Sequence, residues 1–182
     1  MSVFEMLKIS SFLVGIFFLS IVTAKAQTVE SGRKEALKLF DNFYGHYDCS
    51  GGNARGQKIS AEISFLPALD GNAMEYEHID HPPLKAHTKA IWNFDAASKR
   101  LVSLSTVSIM DTTLTFSSLL VSNRWSADSL MFNADTLVTP PFRPNRFIYK
   151  KNGEHSLHIT WQVKKDEEWV MGDYLQCEEA DS

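Results

Sequence analysis

Cysteine is scarce in this chain of 182 residues, which contains only Cys49 and Cys177. Two cysteines are too few for a disulfide-dense scaffold or for a four-cysteine zinc site. Because they lie far apart in the sequence, they also form no Cys-x-x-Cys redox motif and no Cys-x-x-Cys-His haem-attachment motif. We therefore predict no haem and no other cofactor.

Basic residues are also few, and acidic residues outnumber them. The chain has 18 Lys and Arg residues against 22 Asp and Glu residues, a net charge of −4. Its basic runs do not exceed pairs such as Lys150-Lys151 and Lys164-Lys165. Nucleic-acid binding depends on many contacts between Lys or Arg and phosphates, so the composition argues against a nucleic-acid partner. No sequence feature indicates an oligomeric state.

Only one long apolar run is present, from Ile9 to Val22. It is shorter than the roughly 20 residues of a membrane-spanning helix. Lys8 precedes it, and Ala24-Lys25-Ala26 follows as an A-x-A cleavage pattern. This layout predicts a signal peptide over residues 1–26, export to the periplasm or outside the cell, and no membrane span after cleavage. An uncleaved anchor is the alternative.

Motifs of known catalytic mechanism are missing. No Gly-x-Ser-x-Gly sequence is present to form a nucleophile elbow. His78, His81 and His87, together with Asp80, are dense enough to suggest zinc, but their spacing matches no standard zinc pattern. We predict no metal site, and we interpret these histidines mainly as solvated loop residues.

The segment 27–43 is predicted to contain a short amphipathic helix, since Ala36, Leu37, Phe40 and Phe43 recur at helical spacing. One all-β domain follows over residues 44–178, with turn-forming residues between short β-rich runs and no helix long enough for a parallel crossover. We predict a closed up-and-down antiparallel barrel, with a β-sandwich as the alternative. The ten expected strands are 44–50, 58–66, 73–80, 87–94, 101–110, 114–122, 129–133, 145–150, 156–164 and 168–177.

Side chains of a strand alternate between its two faces. This alternation places Cys49 on the apolar face of the first strand and Cys177 on the apolar face of the last, together with Trp169, Met171 and Asp173. A disulfide between adjacent first and last strands would fit both positions, and export makes such pairing the default. Two unpaired buried thiols are the alternative. The faces of strands 101–110 and 114–122 cannot be assigned, because their apolar residues alternate poorly.

The order of motifs resembles a family of exported bacterial proteins of unknown function with a lipocalin-like (calycin) barrel. The resemblance covers nearly all of the chain after the signal peptide and rests on the segments Gly45–Gly51, Leu69–Gly71, Trp92–Asp95, Arg124–Trp125 and Cys177. Tyr47 stands where the family has Trp, and Arg124 stands where it has Gly. The resemblance implies a barrel with room for a small molecule, and it implies no particular activity.

Small barrels either fill their interior with side chains or enclose one small ligand. Aromatic residues dominate the expected inward face, and His78 and Arg146 could orient the polar group of a ligand. Asp173 would need a partner if buried, for which Arg146 is a candidate, or it would lie at the rim in water. The candidate lumen residues are Tyr76, His78, Trp92, Arg146, Tyr149, Trp161 and Asp173.

Three functions follow from these expectations. The first is binding of a small apolar or amphipathic molecule in the lumen. The second is a structural or interaction module whose barrel is filled with side chains. The third is an enzyme that uses a lumen carboxylate or histidine, such as Asp173 or His78, and the missing motifs make it the weakest of the three.

Overall fold

The computed structural model describes residues 29–110, 112–134 and 144–180. The predicted signal peptide and its cleavage site after Ala26 lie outside these ranges. Within them, one helix, α1, covers residues 29–43 and precedes ten strands. The strands are β1 (Gly45–Asn53), β2 (Lys58–Ala68), β3 (Ala73–Asp80), β4 (Ala86–Asp95), β5 (Arg100–Ile109), β6 (Thr115–Ser122), β7 (Ser129–Ala134), β8 (Asn145–Lys151), β9 (Ser156–Lys165) and β10 (Glu168–Glu179).

The strands form a closed barrel in the order β1-β10-β9-β8-β7-β6-β5-β4-β3-β2. Each strand therefore pairs with its neighbours in the sequence, and β1 also pairs with β10, always antiparallel. The turns between strands contain residues that tolerate a positive φ angle. Between β2 and β3, for example, Asp70 and Gly71 have φ values of 56° and 78°, in the left-handed region that Asp and Gly tolerate. The predicted closed up-and-down antiparallel barrel is confirmed.

A disulfide joins the first strand to the last. Cys49 lies directly opposite Cys177 in the β1–β10 ladder, with their Cα atoms 4.0 Å apart, and the two sulfur atoms are bonded. Both residues are buried in the core of the barrel. The predicted pairing and the predicted inward faces of the two cysteines are confirmed.

Helix α1 packs over one end of the barrel, which we call the capped end. Ala36, Leu39, Phe40 and Phe43 recur at helical spacing and have no exposed surface. The ring of Phe43 meets the edge of Phe65 from β2 at a centroid distance of 5.7 Å. The apolar stripe of the helix therefore completes the core at this end.

Tyr47 ties the helix to the barrel at the capped end. Its hydroxyl donates a hydrogen bond to the carbonyl of Phe43 over 3.1 Å and accepts one from Nζ of Lys151 over 3.0 Å. A Trp at this position could not make both contacts, because its indole N–H only donates. The hydroxyl of Tyr47 is therefore what links helix α1 to Lys151 at this end of the barrel.

Strand β10 contains a bulge between Met171 and Asp173. A Cβ atom on the intervening Gly172 would lie 2.3 Å from the ring of Trp161, which is too close for any other residue. Glycine at the bulge therefore lets the Trp161 side chain of β9 lie against the backbone of β10.

The bulge changes which side chains of β10 face inward. Met171 pairs with Gln162, whereas Asp173 pairs with Trp161, so the two residues no longer share a face. Met171 is 48% exposed. Trp169 pairs with Lys164, on the same face as Met171. The predicted common face of Trp169 and Met171 with Asp173 is therefore wrong, because strict alternation does not account for the extra residue of a bulge.

Candidate functional site: the lumen of the barrel

The interior of the barrel contains a cavity of about 440 Å³. This volume lies within the range of about 300–1,000 Å³ that is typical of small-molecule sites. The cavity extends from Trp92 and Tyr149 towards the end of the barrel opposite α1, which we call the cavity end. Leu84 and Phe116 line it there and are 37% and 39% exposed. Side chains therefore fill the capped half of the barrel and leave space in the other half.

Aromatic rings form the floor of the cavity. Trp92 stacks on Tyr76 at a centroid distance of 5.2 Å and meets the rings of Tyr149 and Phe132 at 4.9 Å each. Phe65 lies on the opposite side of this layer, 5.6 Å from Trp92. Strand alternation directs all these side chains inward, so the floor consists of closely packed aromatic rings.

A row of polar side chains rises along β3 from this floor. The Tyr76 hydroxyl lies 2.8 Å from Nδ1 of His78, and Nε2 of His78 lies 3.0 Å from Oδ1 of Asp80. An ionised carboxylate only accepts, so in the neutral imidazole the proton sits on Nε2 and Nδ1 accepts from Tyr76. Burial raises the pKa of the Tyr76 and Tyr149 hydroxyls, which therefore act as neutral hydrogen-bonding groups.

Asp173 adds a second carboxylate to the same cavity from β10. Burial, followed by the charge of Asp80, raises the pKa of Asp173 to about 6, and His78 opposes this shift. The carboxylate of Asp173 forms no hydrogen bond or ion pair with any residue in the described ranges. The cavity thus contains a partly buried carboxylate whose charged form is poorly compensated.

Serine side chains line the wall formed by β5 and β6. The hydroxyls of Ser105 and Ser118 lie 2.6 Å apart. Ser103 is 1% exposed, lines the cavity, and its Oγ has no hydrogen-bond partner in the described part of the chain. These residues explain why the faces of β5 could not be assigned: small polar side chains point inward while Leu104 is 63% exposed on the outer face.

Sequence reasoning missed the serine wall, although a signal for it was present. Ser103 and Ser105 alternate with Val102 and Leu104, which is the period of a strand. The sequence alone assigned no inward face to this strand, and in the structure Ser103 and Ser105 line the cavity while Leu104 is exposed.

The structure places most of the predicted lumen residues together, and one of them elsewhere. Arg146 lies on the outer face of β8, where its Nε donates to Oε1 of Gln162 over 2.7 Å and its guanidinium lies 4.2 Å from the ring centroid of Trp169. The predicted lumen position of Arg146 is therefore wrong, as is its predicted pairing with Asp173. The alternation that turns Phe147 inward turns Arg146 outward. The residues that do line the cavity are Tyr76, His78, Trp92, Tyr149, Trp161 and Asp173.

The three clustered histidines separate onto different parts of the barrel. His87 lies 2.7 Å from Oε1 of Glu77 and His81 lies 3.1 Å from Oε1 of Glu62, whereas His78 alone lines the cavity. Within the described ranges, no three His, Cys, Asp or Glu side chains come close enough together to hold a metal ion. The sequence cluster therefore does not correspond to a cluster in space.

Fold and lumen together define a closed antiparallel β-barrel with an internal cavity that has an aromatic floor and acidic and serine walls. No model of a known protein family matches the chain, and no curated protein sequence matches it significantly. In the described residues, no helix has the length and apolar character needed to cross a bilayer.

Proposed function

We propose that this protein is an exported, lipocalin-like barrel that binds a small apolar or amphipathic molecule in its lumen. The observation that carries the proposal is the cavity of about 440 Å³, because a barrel used only as a packed module would need no such space. A mostly apolar lining with a few polar groups is what small-molecule sites share. The disulfide between Cys49 and Cys177 supports export, since such bonds persist in oxidising compartments.

Ligand binding can be tested with the neutral apolar dye N-phenyl-1-naphthylamine, which becomes fluorescent in apolar surroundings. The wild-type protein should bind it at one saturable site. Trp92 and Trp161 line the cavity, so their fluorescence should fall by energy transfer as the dye binds. Native mass spectrometry of the protein purified from its own compartment would reveal a resident ligand as an extra mass.

A matched pair of variants on β4 makes the test specific to the lumen. Ala90 lines the cavity and the next residue, Ile91, is on the outer face. Ala90→Phe should fill the space and weaken dye binding at least about tenfold, while Ile91→Phe should leave it unchanged within about twofold. Equal binding by both variants, or no dye binding and no extra mass for the wild type, would overturn the proposal.

A further inference from the structure

The charged groups of the lumen have one predominant sign. Asp80 and Asp173 line the cavity, and among its described lining residues there is no Lys or Arg. Among the described lining residues, His78 is the only basic side chain, and its Nε2 is hydrogen-bonded to Asp80. The Arg146 side chain, the one cation expected inside, is held on the outer face by Gln162 and Trp169.

A partly buried carboxylate without a partner is costly, and proteins generally pair such a group or neutralise it. The side chain of Asp173 has neither an ion pair nor a hydrogen bond within the described part of the chain. The charges that act on it are the like charge of Asp80 and, with a smaller effect, His78. Among the described residues of the lumen, no Lys or Arg compensates the charge of Asp173, and a cationic ligand could do so.

Two further features of the cavity suit a cation that carries an apolar body. The rings of Trp92, Trp161 and Tyr76 line the same cavity as the carboxylates, and aromatic rings attract cations as well as apolar groups. On the β5 wall, the buried Ser103 hydroxyl faces the cavity without a partner in the described ranges. An unpaired buried hydroxyl is an independent sign that the cavity accepts a polar atom from a ligand.

From this arrangement we infer that the lumen binds a protonated amine with an aromatic or aliphatic body, its ammonium group paired with Asp173 and Asp80 and its body over the aromatic floor. This inference rests on the proposed function and names its ligand class. Asp173 supplies the uncompensated charge, Asp80 and His78 form the second charged edge, and Trp92 and Trp161 hold the body. An anionic ligand such as a fatty acid is disfavoured, because its carboxylate would meet two others.

The inference can be tested with two series of compounds that share a body and differ in charge. Tryptamine, tryptophol and indole-3-propionate form an aromatic series, and dodecylamine, dodecanol and dodecanoate form an aliphatic one. By calorimetry at pH 7.5 and low salt, the amine of at least one series should bind at least about tenfold more tightly than its neutral analogue, and the acid should bind most weakly.

Variants then show whether the preference comes from the lumen carboxylates. Asp173→Asn should weaken binding of the preferred amine at least about tenfold and change binding of the neutral analogue less than about threefold. Glu77→Gln is the matched control, because Glu77 lies on β3 like Asp80 but on the outer face beside His87. That control should leave the amine affinity unchanged.

The possible failures of the two proposals are distinguishable. If N-phenyl-1-naphthylamine binds but neither amine binds, or if the neutral or acidic analogues bind as well as the amines, the inference about ligand class is overturned and lumen binding stands. The inference about ligand class is likewise overturned if Asp173→Asn does not change amine binding. If neither the dye nor any of the six compounds binds, both proposals fail.

Discussion

The two ends of this barrel follow the same alternation of side chains, but they differ in the kind of side chain that faces inward. At the capped end, Phe40, Phe43 and Phe65 are completely buried in the core. At the cavity end, the inward positions hold carboxylates, a histidine and serines around an open space. Burial of apolar surface stabilises the first end, whereas polar groups without full compensation lower the stability of the second. The capped end therefore provides most of the packing, and the cavity end retains an open space.

The largest expected effect tests the packing of the capped end. Phe65 is fully buried and its ring contacts those of Phe43, Tyr47 and Trp92. Phe65→Ala should therefore lower the free energy of unfolding by about 3–5 kcal/mol, measured by urea denaturation. Phe116→Ala at the cavity end should cost at most about 1–2 kcal/mol, because this side chain is already 39% exposed. Similar losses in both variants would show that the two ends do not differ in packing.

The second effect concerns the bond that closes the packed half. Replacing Cys49 and Cys177 together by Ala should lower the free energy of unfolding by about 2–5 kcal/mol under oxidising conditions, since the long loop would no longer be restrained in the unfolded chain. Reductant should bring the wild type close to the variant. Binding of N-phenyl-1-naphthylamine by the folded variant should persist, because neither cysteine lines the cavity. An unchanged midpoint of unfolding would contradict a stabilising role for the bridge.

The smallest expected effect has the opposite sign and concerns Asp173. Its pKa is about 6 in the folded protein against 3.8 for the unperturbed group, so folding favours the protonated form. The associated stability is fully present below pH 3.8 and is lost as the pH rises through about 6. Asp173→Asn should therefore raise the free energy of unfolding by about 1–3 kcal/mol at pH 7.5, allowing for the part of the side chain that water reaches.

The pH dependence supplies the control for that variant. The difference between Asp173→Asn and the wild type should shrink steadily below pH 6 and approach zero near pH 3, below the unperturbed pKa of 3.8, as followed by urea denaturation at several pH values. A gain that does not depend on pH would mean that the substitution acts through packing and not through charge. Stability gained at the expense of amine binding would identify Asp173 as a residue kept for function.

Much of this fold was predictable because it depends on patterns that repeat along the chain. Turn residues such as Asp70 and Gly71 mark where strands end, and period-two alternation placed Cys49 and Cys177 on inward faces. Single-residue events were not predictable in the same way. At the bulge, Gly172 leaves space for the ring of Trp161 on the neighbouring strand. This is a contact between two strands, and the sequence of neither strand alone predicts it.

The candidate site was predicted less completely, for a related reason. Tyr76, His78 and Trp92 follow from strand parity, but the serine wall inverts the usual relation between apolar character and burial. Ser103 is buried while its neighbour Leu104 is exposed. Arg146 was assigned by its chemistry, as a partner for Asp173, against the parity that turns Phe147 inward. Strand parity alone would have placed Arg146 correctly on the outer face.

The closing pair of strands also has a consequence for how the chain folds. Every other strand pairing joins neighbours in the sequence and can form locally as a hairpin, whereas β1 and β10 must meet across almost the whole domain. Until β10 arrives, β1 and β9 present unpaired edges that could add a strand from another molecule. We therefore expect the step from open sheet to ring to be the slowest, because it depends on the pairing most distant in the sequence. Cys49 and Cys177 come to lie opposite each other when β1 and β10 pair, so oxidation of the two cysteines would hold the ring closed once it has formed.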